Sequence, residues 1–261
     1  MRTTKTITLL LMSSIASTAL VGQASALEAQ AFIDRFVAVY DSIGYTIDFG
    51  TATLDGDTIT VDGATVSIDG MGEEPMQFDT QLTFSGVTEL EDGGYHAESL
   101  TIPDIDTEFA SEPTGNVSLT DIEATDIYLP GGDTVPAVAT LQLIGGLTTG
   151  PLSVLRDGEE VFAYESFASL TTFNPEQGPD LVDLSSSMTI SGITADLSSV
   201  SEEDAEAGAN IEALGLTSLS GDITQELTWT MADGHMNMTE FLFDFADQGA
   251  LNITADLTGF T

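Results

Sequence analysis

"LDGDTITVDGATVSIDG" (residues 54–70) decides the fold class of this chain. Three Asp-Gly pairs stand seven residues apart, at Asp55, Asp62 and Asp69, and short runs of alternating apolar and polar residues separate them. Asp-Gly tolerates the positive φ that a tight hairpin demands, and a period of two belongs to strands with one buried face. The same acids raise calcium as a second reading, since calcium needs about six to eight oxygens converging on one point. An EF-hand loop supplies them as D-x-[DN]-x-[DN]-G, whereas here Asp55-Gly56-Asp57 runs straight into Thr58, Ile59 and Thr60. The G-G-x-G-x-D repeat of calcium-loaded β-rolls is missing too. These pairs therefore read as hairpin turns, and the carboxylates as surface groups able to hold cations diffusely.

The pattern continues outward in both directions. Tyr45, Ile47 and Phe49 alternate with Thr46 and Asp48, and "MQFDTQLTF" places Met76, Phe78, Leu82 and Phe84 on one face. Further Asp-Gly turns fall at Asp92, Asp157 and Asp233, and strands are expected over 95–102, 116–128, 161–172, 187–197, 223–231, 236–244 and 251–257. Before them, "LEAQAFIDRFVAVYDSIG" (27–44) sets Phe32, Phe36, Val39, Tyr40 and Ile43 at helical spacing and ends on Gly44, a C-cap. "SEEDAEAGANIEALG" (201–215) opens with Ser201 and Asp204 at capping-box spacing and predicts a second helix. "ITADL" occurs at 193–197 and again at 253–257, which suggests related strand-turn units. The expectation is a mainly β chain: one elongated, curved antiparallel sheet, a meander of hairpins, with an N-terminal helix and one or two short helices. Residues 27–261 form one domain in this reading, whole or incomplete at its C-terminus, where the chain stops at Phe260-Thr261 just after a strand.

Residues 1–26 are set apart. "MRTTKTITLLLMSSIASTALVGQASA" has Arg2 and Lys5, an uncharged run over 7–21 and then Ala24-Ser25-Ala26, the make-up of a secretory signal cleaved after Ala26. The run is short and rich in Ser and Thr for a membrane anchor, and no Cys follows it to take a lipid. A periplasmic or secreted protein is expected. Without the signal the chain keeps all 43 acids against Arg35 and Arg156, a formal charge of 2 − 43 = −41. Nucleic acid and anionic membrane surfaces need clustered cations, so both are excluded as partners. With 42% apolar residues the chain can still bury a core, and its self-repulsion suits a saline or divalent-rich medium. No disulfide contributes, since there is no Cys.

Chemistry-bearing residues are few. The 22 residues 134–155 carry no charge, but Pro136, Gly145, Gly146, Gly150 and Pro151 break any spanning helix, so a buried segment or a ligand-facing flap is expected there. "TMADGHMNM" gathers Met231, His235, Met236 and Met238, donors that suit Cu(I). On a strand, however, Met236 and Met238 share a face that His235 does not, the pattern of a core Met pair beside a turn histidine. His96 has no nucleophile motif around it, and no glycine-framed serine elbow occurs. Carboxylate pairs for glycoside hydrolysis could be drawn anywhere among so many acids, and the glycosylation patterns at Asn116, Asn237 and Asn252 are incidental in a bacterial-looking chain. No catalytic, ligand-binding or metal residue is assigned, no cofactor is expected, and the protein reads as a non-enzyme.

The exported helix opening into "YTIDFGTATLDGDTITVDGATV", together with the later "IEALGLTSLSGDITQELTWTMADGHMNMTEFLFDFADQGALNITADLTGF", resembles uncharacterised periplasmic β-rich proteins of alphaproteobacteria. More distantly it is similar to the YdgA-type and AsmA-type envelope proteins, whose strands build a long open sheet. The resemblance implies an envelope protein without known catalysis, and its AsmA side implies a groove for lipid acyl chains. It carries over no functional residue. Two functions are therefore expected in competition: a sheet that shelters or carries an apolar, lipid-like ligand, or an acidic structural or adhesive surface protein bridging through divalent cations such as calcium. The first ranks higher because 134–155 has no role in the second.

Overall fold

A computed structural model describes residues 27–68, 76–109, 114–132, 134–135, 137–174, 183–198 and 205–259. The expected signal at 1–26, the Asp69 turn and the Ser201/Asp204 capping box lie outside them. Helix α1 (Ala29–Asp41) opens the described chain and is followed by β1 (Tyr45–Phe49), β2 (Ala52–Asp55), β3 (Thr58–Ile68), β4 (Met76–Ser85), β5 (Thr88–Glu89) and β6 (Tyr95–Ile102). Then come β7 (Ile105–Phe109), β8 (Gly115–Leu119), β9 (Ile122–Leu129), a 3-10 turn (Ala137–Gln142), β10 (Ile144–Thr149), β11 (Leu152–Arg156), β12 (Glu159–Tyr164) and β13 (Ser166–Asn174). The chain ends with β14 (Asp183–Asp196), helix α2 (Ala205–Leu214), β15 (Ser218–Thr230), β16 (His235–Phe245), β17 (Gly249–Asn252) and β18 (Ala255–Thr258).

All the pairings are antiparallel and join one open sheet. Its spine runs β3–β4–β6–β9–β10–β13–β14–β15–β16. β1 and β2 both pair with β3 at one edge, and β17 and β18 both pair with β16 at the other. A second ladder, β7–β8–β11–β12, continues the inner hairpins and rejoins the spine where β12 meets β14. The mainly β, open antiparallel expectation is what the protein adopts.

The uncharged 134–155 segment enters this sheet through β10 and β11. β10 lies between β9 and β13, β11 lies between β8 and β12, and Leu143 just before β10 is in the core. Two Asp-Gly pairs also differ in use. Asp55-Gly56 makes the β2–β3 turn with Gly56 at φ 66°, but Asp62-Gly63 sits inside β3 as a bulge, Gly63 at φ 78°, where the register with β4 shifts. An added Cβ at Gly63 would press on the Phe78 carbonyl at 2.9 Å, so the close approach of β4 requires glycine there.

The sheet is creased, and the creases share one local pattern. Within a flat strand, side chains on one face lie two apart; here four strand segments keep an apolar face across a step of three. The steps are Phe84-Ser85-Gly86-Val87, Ile190-Ser191-Gly192-Ile193, Leu119-Thr120-Asp121-Ile122 and Ala124-Thr125-Asp126-Ile127, and the third residue of each has positive φ, at 63°, 65°, 52° and 53°. Across the neighbouring strand each such residue meets its complement. Glu98 lies over Gly86, Glu165 lies over Gly192, and the Asp121 and Asp126 side chains lie over Gly150 and Gly145. A carboxylate thus always covers a glycine, where any larger side chain would collide with it. The expected strand 116–128 is split in two at Asp121, and the expected strand 161–172 at Glu165, the residue that lies over Gly192.

Candidate functional site

One face of the sheet carries most of the large apolar side chains, but only its first part is covered. α1 presents Phe32, Ile33, Phe36 and Val39 to β1, β2 and β9. Beneath it Ile59, Val61, Phe84, Ala97, Ile127 and Leu129 are fully buried. The rings interlock: Phe32 meets Phe84 edge-on at 4.9 Å and Tyr95 at 5.5 Å, and Phe36 stacks on Tyr40 at 4.4 Å. Burial and the neighbouring Tyr45 push the Tyr40 phenol up to about 12. Arg35 reaches out of α1 to the carbonyls of Pro130 and Gly132, tying the helix to the loop after β9.

The same face continues across β13 to β16. Register places Phe173, Leu184, Trp229 and Met236 side by side in one row, with Leu257 beyond them. A second row holds Thr171, Ser186, Leu227 and Met238. A third holds Ser169, Met188, Gln225 and Phe241, and a fourth Phe167, Ile190, Ile223, Phe243 and Leu251. None of these residues is charged. Phe241 and Phe243 tilt together at 4.6 Å, and Thr171 Oγ1 donates to Ser186 Oγ. Among the described residues no helix lies across β13 to β16, and Ile193 is the one apolar side chain from β11 to β18 that is fully buried.

The opposite face is the reverse in chemistry. Ser185, Thr228, Asn237 and Asp256 form a polar row, and Glu226 faces Glu240 and Asp222 faces Asp244 directly across β15 and β16. Like charges in such pairs cost up to about 1 kcal/mol each, a cost only a solvated face carries easily. Thr224 Oγ1 donates to Glu240 at 2.8 Å, and the Gly192 N–H donates to Asp222 at 2.8 Å. Asp196 is held below the usual carboxylate range by the backbone N–H and hydroxyl of Ser198.

The residues singled out in the sequence fall apart as a site. Met236 and Met238 stand on the apolar face, whereas His235 turns away and bonds Asp256 at 2.8 Å. His96 bonds Asp126 at 2.7 Å beside a cleft of about 400 Å³ lined by Tyr128, Gln142 and Leu170. Both histidines reach the acid two residues before their direct cross-strand partners, Thr258 and Tyr128. Desolvation pushes the Tyr128 phenol up. Among the described residues no three His, Asp or Glu side chains converge as metal ligands, and no helix is long and apolar enough to cross a membrane. The apolar rows were readable only as isolated strands; register alone shows that they merge.

Compared with protein-family models, with curated proteins and with solved structures, the chain matches none.

Proposed function

We propose that this is an exported, non-enzymatic protein of the cell envelope that carries an apolar, lipid-like ligand on the uncovered face of β13 to β16. One observation carries the reading: four adjacent strands present an uncharged face, apolar at twelve of its sixteen register positions, that no described helix covers. Apolar area left in water costs about 25 cal/mol per Å², so such a face gains by being covered, and apolar patches of this kind mark ligand or partner surfaces. Acyl chains suit it because they demand no cation and no directional hydrogen bond, and the face provides little of either. The export signal expected at 1–26 places the protein where envelope lipids are met.

Native mass spectrometry on protein purified from a bacterial envelope without detergent tests the reading. Bound species with lipid masses should be released by organic solvent, and Phe241→Asp with Phe243→Asp should abolish them while leaving the fold intact. Wild-type protein that arrives lipid-free, and stays so after incubation with envelope lipid extract, would count against it.

A further inference from the structure

The outer edge of the sheet is self-complementary, and we infer that two copies of the chain join there, β17 of one pairing antiparallel with β18 of the other about a two-fold axis at Thr254. β17 and β18 lie end to end along β16, joined by an Ile253 N–H bond to the Phe241 carbonyl and by Asn252 accepting from the Phe241 N–H. Among the described residues nothing pairs with their outward side. An unguarded edge of this kind is a template for another strand, and proteins that keep such edges free place Lys, Pro or inward charges on them. From Gly249 to Gly259 there is no Lys, no Arg and no Pro, and Asp256 is the only acid.

The sequence of this edge fits its own reverse. Centring an antiparallel pair on Thr254 sets Gly249 against Gly259, Leu251 against Leu257, Asn252 against Asp256 and Ile253 against Ala255. No carboxylate faces another, although acids are common elsewhere in the chain. The same pairing covers Leu251, Ile253 and Leu257, which are 58%, 42% and 42% exposed and lie within seven residues of one another. A two-fold contact of one patch with itself closes at a dimer and does not propagate. It also runs the apolar face of one copy into that of the next, since Leu251 and Leu257 stand in the rows of Phe243 and Met236.

Charge sets the condition for this pairing. Each full chain carries −39, so two copies repel until salt shortens the range of that repulsion to about 10 Å at 0.1 M. Sedimentation equilibrium of the protein at 20 mM and 1 M NaCl tests the inference. A dimer is expected at 1 M, with a dissociation constant at least tenfold weaker at 20 mM. The double variant Leu251→Asp, Leu257→Asp, which sets acids against each other across the axis, should remain a monomer in 1 M NaCl. Leu170→Asp adds the same kind of charge at a 54% exposed leucine on the other face and should dimerise as wild type does. Should the double variant fail to fold, hydrogen exchange on wild type replaces it, and amides of β17 and β18 should gain protection as protein concentration rises. Wild type that stays monomeric at 1 M and 100 µM, a double variant that dimerises normally, or edge amides indifferent to concentration would each overturn the inference.

Discussion

The β3–β9 region and the β13–β16 region are built from the same kind of strand, yet one is a closed core and the other an open face. Both alternate apolar and polar residues, and both are creased by a Ser-Gly step with a glutamate lying over the glycine, at Gly86 and at Gly192. What separates them is α1. Where its Phe32, Phe36 and Val39 descend, Phe84, Ile59 and Val61 are sealed from water; where it does not reach, Phe241, Phe243 and Trp229 remain half-buried by their neighbours alone. A strand's pattern thus commits one side to an apolar environment without saying what supplies it. In the first region the chain supplies it, and in the second we assign that role to a ligand.

The largest difference should appear when one ring is removed from each region. Phe84→Ala leaves a cavity under Phe32 and Phe36 and should cost about 3–5 kcal/mol in chemical denaturation. Phe243→Ala removes a ring that water already reaches and should cost about 1 kcal/mol. Equal losses would mean that the second region is packed as tightly as the first.

The creases should instead make the regions alike. Gly86→Ala and Gly192→Ala each force a Cβ into a positive φ and against a glutamate side chain, so each should lower stability by roughly 1–2 kcal/mol. Pairing each with Glu98→Ala or Glu165→Ala should recover the clash with the glutamate Cγ and carboxyl carbon and leave the φ penalty and a tight contact with the remaining Cβ. A loss at Gly86 alone would show that only the covered region depends on its crease.

A smaller effect is confined to the helix side. Because the Tyr40 phenol rises from 10.0 to about 12, its protonated form is favoured by the fold. The stability it contributes is fully present below pH 10 and is lost as pH climbs through about 12. Thermal melts of Tyr40→Phe should therefore fall less steeply than wild type between pH 10 and pH 12 and run parallel to it at neutral pH.

Much of this was legible in the residues. Period-two runs give strands, the spacing of Phe32, Phe36 and Val39 gives a helix, and both follow from side-chain direction alone. Three features were not legible. Asp62-Gly63 has the chemistry of a turn, and only the approach of β4 makes it a bulge, because positive φ serves both. The left-handed steps at Asp121 and Asp126 hide in Thr-Asp-Ile sequences that look like strand interior, since aspartate can enter that region without a glycine to announce it. The candidate site was not legible because its rows join residues up to 84 positions apart, Phe167 to Leu251 among them, and register is set by pairing rather than by local sequence.

The central claim, that the face of β13 to β16 is open to an acyl chain, has a built-in reporter, because the chain's one tryptophan, Trp229, stands in its first row. Titration with stearate carrying a doxyl spin label on its chain should quench Trp229 emission saturably, well beyond the quenching by a free water-soluble nitroxide. Unlabelled stearate should reverse it. Emission that responds equally to both nitroxides, or to neither, would contradict the account.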